Sequence, residues 1–166
     1  MAEEVVITRT LDAPRELVWR AWTEPERTMR WWGPKTFTSP ACEIDLRIGG
    51  QYLSSMRAPD GKDYWSTGVY REIVEPERLV MTDCFADAEG NTVPASYYGM
   101  SGDWPLEMLV TVTLEEQDGK TKLTIRHSGT EGVSAEDRQN MTQGWNESLD
   151  KLEQVLADWR RERAAA

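Results

Sequence analysis

Histidine is almost absent from this chain: 166 residues contain one, His127. A single imidazole cannot build a His-rich metal centre, and Cys42 and Cys84 are too far apart in sequence to form a C-x-x-C pair. No metal is expected, and no cofactor. The chain has no P-loop, no dinucleotide-binding glycine fingerprint and no G-x-S-x-G elbow. Positive charge is also scarce. Lys and Arg number 19 against 29 Asp and Glu, which leaves a net charge of −10 and a pI near 4.7. A field of that sign repels phosphate backbones and anionic head groups, so neither nucleic acid nor a membrane is an expected partner. No apolar run reaches membrane-spanning length, and MAEEVVITRT lacks the make-up of a signal peptide. Two free thiols then fit a reducing cytoplasm. There are no repeats, low-complexity tracts or interdomain linkers, so residues 1–166 read as one domain.

Tryptophan is present in excess. Of eight, Trp19, Trp22, Trp31 and Trp32 cluster early in the chain. The longest periodic segment comes last. Over residues 134–160, Met141, Trp145, Leu149, Leu152, Leu156 and Trp159 recur at steps of three and four, one stripe of an α-helix. Ser134 is a good N-cap, and Glu136 and Asp137 suit the positive end of the helix dipole. The first two turns carry only Ala135 and Met141 as apolar residues. They therefore pack loosely or border something other than core. Gly144 would let a backbone, a ring or a ligand come close.

The rest of the chain reads as strands around a short helical bracket. Val5 to Leu11 alternates as a strand. Asp12-Ala13-Pro14 starts a helix with Asp12 as cap, and Thr23 with Glu26 forms a capping box for a second short helix that ends at Trp31-Trp32-Gly33-Pro34. Further strands are expected over 43–48, 51–58, 63–74, 78–85, 106–116 and 120–128. Asp118-Gly119 is the strongest hairpin signal. It sets Leu114 opposite Leu123, Val112 opposite Ile125 and Val110 opposite His127, so the only histidine faces inward. A four-residue turn, Pro59 to Lys62, would place Tyr52, Ser54, Met56, Trp65, Thr67 and Val69 on one concave face. Consecutive strands followed by a long helix make an α+β fold, a curved antiparallel sheet around the helix.

Several stretches carry a resemblance. APRELVWRAWTEPE, WWGPK, DLRIGGQYLSSMRAPDGKDYWSTGVYREIVEPERLVMT and GWNESLDKL resemble the activator-of-heat-shock-protein-90-ATPase-like branch of the START-like superfamily (SRPBCC, birch-pollen-allergen-like). The resemblance implies a helix-grip fold: a seven-stranded antiparallel sheet wrapped around the C-terminal helix, two short helices after the first strand, and a cavity between sheet and helix. It implies no shared catalytic constellation. The eukaryotic co-chaperones of the branch stimulate the chaperone through a separate N-terminal domain. No region here matches it, so that role is not expected to carry over.

Three functions fit these residues. The first is binding of a small, largely apolar or aromatic molecule by a monomer or weak homodimer. Its wall would come from Tyr52, Met56, Trp65, Met108, Val110, Val112, Ile125, His127, Met141 and Trp145, with Trp32, Tyr97 and Tyr98 at the mouth. Met and aromatic side chains suit an adaptable pocket, although the same residues serve equally as core. The second is an enzyme, a cyclase or hydrolase using His127 with Tyr or Asp neighbours. The third is a chaperone-linked interaction module. The segment 86–105 bears on the choice. It is too long for a simple connector and too apolar for disorder, with Val93, Tyr97, Tyr98, Met100 and Trp104, and reads as a lid or as a loop packed on the strand ends.

Overall fold

Seven strands account for most of the fold in the computed structural model, which describes residues 4–165. They are β1 (Val5–Leu11), β2 (Cys42–Ile44), β3 (Gln51–Arg57), β4 (Asp63–Val74), β5 (Arg78–Ala86), β6 (Met108–Gln117) and β7 (Lys120–Ser128). Three helices complete it: α1 (Arg15–Thr23), α2 (Pro25–Thr28) and α3 (Ala135–Ala165). The strands form one antiparallel sheet in the order β1-β7-β6-β5-β4-β3-β2. Only β1 leaves chain order, pairing with β7 so that Ile7 lies opposite Ile125. α1 and α2 occupy the gap between β1 and β2. This is the helix-grip arrangement, and the β6–β7 register follows the predicted one: Val110 opposite His127, Val112 opposite Ile125, Leu114 opposite Leu123. Asp118 (φ 53°) and Gly119 (φ 81°) turn that hairpin, both in the left-handed conformation a tight primed turn requires.

The β3–β4 hairpin departs from expectation, and a single residue decides it. Arg57 pairs with Asp63, and the Ala58 N–H donates to the Lys62 carbonyl at 2.9 Å. The loop is thus three residues, Pro59-Asp60-Gly61, closed by Gly61 at φ 88°. A loop of three rather than four reverses the face of every residue on the second strand. Tyr52, Ser54 and Met56 lie opposite Gly68, Ser66 and Tyr64. Trp65, Thr67 and Val69 therefore belong to the convex face, which corrects the expectation for all three.

Smaller corrections fall at element ends. Thr23 donates its hydroxyl back to the Trp19 carbonyl (2.8 Å) instead of capping α2, whose N-cap is Glu24. Pro14, not Asp12, stands at the N-cap of α1, and Asp12 accepts from Arg160 of α3. β2 stops at Ile44 because the chain folds back on itself, with the Arg47 N–H bonded to the Asp45 carbonyl at 2.9 Å. β6 begins at Met108, since Leu106 is largely exposed beyond Pro105.

α3 spans 31 residues, about 46 Å. Ser134 caps it as expected, its Oγ accepting the Asp137 N–H at 3.1 Å. Leu149, Leu152, Leu156 and Trp159 are buried against the sheet and against Leu17, Val18 and Trp22 of α1. Met141 and Trp145 are only partly buried. The helix thus grips the sheet by its second half.

Burial at the other end of the core has a consequence in alkali. The Tyr52 hydroxyl is enclosed and donates to the Thr82 carbonyl at 3.0 Å. Burial, then the Asp83 charge, raises its pKa well above 10.0. Burial likewise raises Tyr70, and pushes the Cys42 thiol from 9.0 up to about 12. These are acids whose folded pKa values exceed their unfolded ones. Their stabilising share is complete below the unfolded values and disappears as pH rises from about 9 towards 12. Melting temperature should fall over that window. Phenolate absorbance from Tyr52 and Tyr70 should appear only as near-UV ellipticity is lost; ionisation of both in an intact fold would contradict their enclosure.

Candidate functional site

The sparse first turns of α3 leave a space that the sheet does not fill. Along β5 the inward positions alternate as Leu79, Met81, Asp83 and Phe85. The first two enter the core, whereas Asp83 and Phe85 lie beyond it. Across from them stand Met108 of β6 and His127 of β7, then Met141, Gly144, Trp145 and Ser148 of α3. Trp32, Gly33 and Pro34 form one rim, and Met56 and Ser66 close the β3–β4 side. The space, partly open to solvent, measures about 340 Å³. The rim segment is tied to α3. The Lys151 ammonium, its pKa lowered by burial, donates to the Pro34 and Phe37 carbonyls at 3.0 Å each.

His127 is the buried polar centre of this wall, 5% exposed. The Trp145 indole N–H donates to its Nδ1 at 3.2 Å. An indole nitrogen can only donate, so Nδ1 supplies the lone pair and the imidazole proton resides on Nε2. Nε2 lies 3.0 Å from Asp83 Oδ2, but outside hydrogen-bond geometry, which leaves the Nε2–H without an aligned acceptor. Asp83 Oδ1 is 3.4 Å from the Tyr52 hydroxyl. A general base needs a free lone pair facing its substrate. Here the only imidazole lone pair is occupied, so the wiring suits a donor rather than a base.

A second lining residue carries an orphan. Trp104 Nε1 is buried with no hydrogen-bond partner. No Lys or Arg is among the described residues of the lining, and its charged members are Asp83 and Asp137. Cys84 borders it through its backbone, its side chain lying on the convex face with Thr67; burial and then Asp83 raise its pKa, which keeps the thiol neutral. Among the described residues no group of His, Cys, Asp and Glu could hold a metal ion, and no helix is long and apolar enough to cross a membrane.

Segment 87–105 supplies part of the wall. Asp87 accepts the N–H groups of Glu89 (2.9 Å) and Asn91 (3.0 Å), turning the chain back so that Thr92 bridges to Ala86. A single 3₁₀ turn, Ala95–Tyr98, follows. The Tyr98 hydroxyl donates to the Ala86 carbonyl and accepts the Trp65 N–H at 2.9 Å, standing between β4 and β5 where they part. Beyond it Met100 and Trp104 reach the cavity, Trp104 edge-on to Phe85 at 5.7 Å. Gly132, before α3, meets this segment closely: a Cβ there would sit 2.4 Å from the Asp103 carbonyl oxygen.

The residues expected to line the cavity are distributed as follows. Trp32, Met56, Met108, His127, Met141 and Trp145 border it. Tyr52 borders a neighbouring hollow of about 20 Å³ behind Trp22 and Trp32. Val110, Val112 and Ile125 are fully buried in the core. Trp65 is on the convex face, Tyr97 is largely exposed, and Tyr98 fastens the loop. Sequence reasoning missed Asp83, Phe85, Met100 and Trp104. For Asp83 the signal was present, since alternation along 78–85 makes it the only charged residue on the inward face. Other hollows are larger but more polar in their lining. One of about 400 Å³ is lined by Glu24, Glu26, Arg27, Arg30 and Glu162, and there Arg27 is satisfied by Glu24 and by the Trp159 ring.

A long helix gripped by a seven-stranded sheet, with a cavity at the helix's loose end, defines a helix-grip protein. The chain belongs to the Activator of Hsp90 ATPase homolog 1-like family, whose model matches residues 12–157. A solved protein from Chromobacterium violaceum is 30% identical, with 92% of this chain and 96% of that one covered and a TM-score of 0.74. One from Arthrobacter aurescens is 27% identical, covering 93% and 86%, at a TM-score of 0.77. One from Nitrosomonas europaea, 23% identical and covering 95% and 96% at a TM-score of 0.77, shares the fold. No curated protein matches the chain.

Proposed function

We propose that the protein binds a small, largely apolar or aromatic ligand in the cavity between the sheet and the first half of α3. One observation carries this: a partly open hollow of about 340 Å³ walled by Trp32, Met56, Phe85, Met108, Met141 and Trp145. Its volume is at the small end of ligand pockets, about 300–1,000 Å³, which suits one or two rings. The occupied lone pair of His127 favours binding over acid–base chemistry. Segment 86–105 acts as a lid, a role supported by Met100 and Trp104 in the wall and by the Tyr98 fastening. Two free cysteines support a cytoplasmic setting.

The test fills the cavity. Met141→Trp adds a large ring at its edge without touching Leu149, Leu152 or Leu156. Binding of a naphthalene probe, followed by tryptophan fluorescence, should weaken at least tenfold, about 1.4 kcal/mol. In the native chain the probe should slow amide exchange over Met100–Trp104. Unchanged affinity in Met141→Trp would move the ligand elsewhere, and unchanged exchange would reduce 86–105 to a connector.

A further inference from the structure

We infer that the cavity selects an uncharged ligand bearing a carbonyl-type oxygen, which accepts hydrogen bonds from His127 Nε2–H and Trp104 Nε1–H while Asp83 turns anions away. The inference rests on the cavity reading above and deepens it. His127 and Trp104 line one space, and each carries a buried N–H with no aligned hydrogen-bond acceptor; the Asp83 carboxylate lies 3.0 Å from His127 Nε2 but off its axis. Buried donors are nearly always paired in native proteins, and leaving one unpaired is costly. Two in one lining define a place for an acceptor. The tautomer of His127 is fixed for that role, because the Trp145 N–H holds Nδ1 as the acceptor and so assigns the proton to Nε2.

The charges decide which acceptor fits. Asp83 Oδ2 is 3.0 Å from Nε2, Asp137 borders the same space, and no described lining residue carries a positive charge. A carboxylate or phosphate would enter beside Asp83 with no cation to balance it, and two like charges at close range repel. A ketone, aldehyde or amide oxygen meets the same donors without that cost. Asp83 thus acts as a filter on charge, and His127 and Trp104 as the specificity pair.

Three probes of one shape test this: 2-acetonaphthone, 2-ethylnaphthalene and 2-naphthoate. In the native chain the ketone should bind at least tenfold more tightly than the hydrocarbon, and more tightly than the carboxylate. His127→Phe and Trp104→Phe should each shrink the preference for ketone over hydrocarbon severalfold. Asp83→Asn should strengthen the naphthoate tenfold or more. Near-UV ellipticity checks that each variant is folded. Should His127→Phe, which strips the Trp145 N–H of its acceptor, fail to fold, Trp104→Phe and Asp83→Asn carry the test. Equal binding of ketone and hydrocarbon, or naphthoate binding as tightly as the ketone, overturns the inference. If the hydrocarbon still binds and Met141→Trp still weakens it, the cavity reading stands while this inference falls. If no probe responds to Met141→Trp, the cavity reading itself has failed.

Discussion

Trp31→Ala is expected to lower the unfolding free energy by about 3–5 kcal/mol. Trp31 has no exposed surface and is the largest side chain so enclosed. Its ring meets Trp22 at 4.8 Å and Trp32 at 5.4 Å, both edge to face, and its indole N–H donates to the Ala21 carbonyl at 3.0 Å. Removal deletes the largest apolar surface of the bracket, two favourable ring contacts and a buried hydrogen bond. The bracket cannot collapse to fill the space, because α1 and α2 are held by the chain on both sides. The effect reaches the cavity as well. Trp32 and Trp22 both contact Trp145, at 5.6 and 5.9 Å, so the ring behind them sets the position of the cavity wall. Trp145 is only partly buried, and its own replacement by alanine should cost less. Urea unfolding of both variants gives the order. A loss below about 1 kcal/mol for Trp31→Ala would mean that the bracket is not a structural support.

Gly68→Ala should be at least as damaging, more than about 3 kcal/mol, for a different reason. A Cβ at this position would stand 1.9 Å from the Thr82 carbonyl oxygen, 2.6 Å from its carbon and 2.7 Å from Tyr52 Cε2. Two of these atoms are backbone and cannot turn aside. Gly68 does not have a positive φ, so the requirement is for space alone. The sheet is tightest here: the Val69 N–H donates to Thr82 Oγ1 at 2.8 Å, and the β4–β5 register slips between Tyr70 and Glu72. Any shift of Thr82 moves Asp83, the next residue, and with it the charged part of the cavity. Soluble yield and urea unfolding test this. A Gly68→Ala chain within 1 kcal/mol of the parent would mean that β4 and β5 approach less closely than described.

The elements that could be read in the sequence were those fixed by local chemistry. Asp118-Gly119 admits few turns, so its register and the inward placement of His127 followed from two residues. The heptad-like stripe of α3 and its weak first turns were equally plain, and they located the loose end where the cavity lies. The β3–β4 hairpin was not legible, because Pro59-Asp60-Gly61-Lys62 serves three- and four-residue loops alike. One residue of ambiguity sent Trp65 to the wrong face. The capping box failed because the Thr23 hydroxyl had a closer acceptor in its own helix. Within the loop, nothing local distinguishes Tyr97 and Tyr98 from Met100 and Trp104; which pair reaches the cavity depends on where the Tyr98 hydroxyl finds its sheet partners.

The bond from the Trp145 indole to His127 also sets which acid–base role the imidazole can take. With phenylalanine at 145 the ring remains and the donor is gone. The Nδ1 lone pair would then be released, while Asp83 stays beside the opposite nitrogen. A carboxylate behind one imidazole nitrogen and a lone pair on the other is the logic by which hydrolases prepare a base. On this fold the step from donor to base at His127 is therefore the loss of a single indole nitrogen.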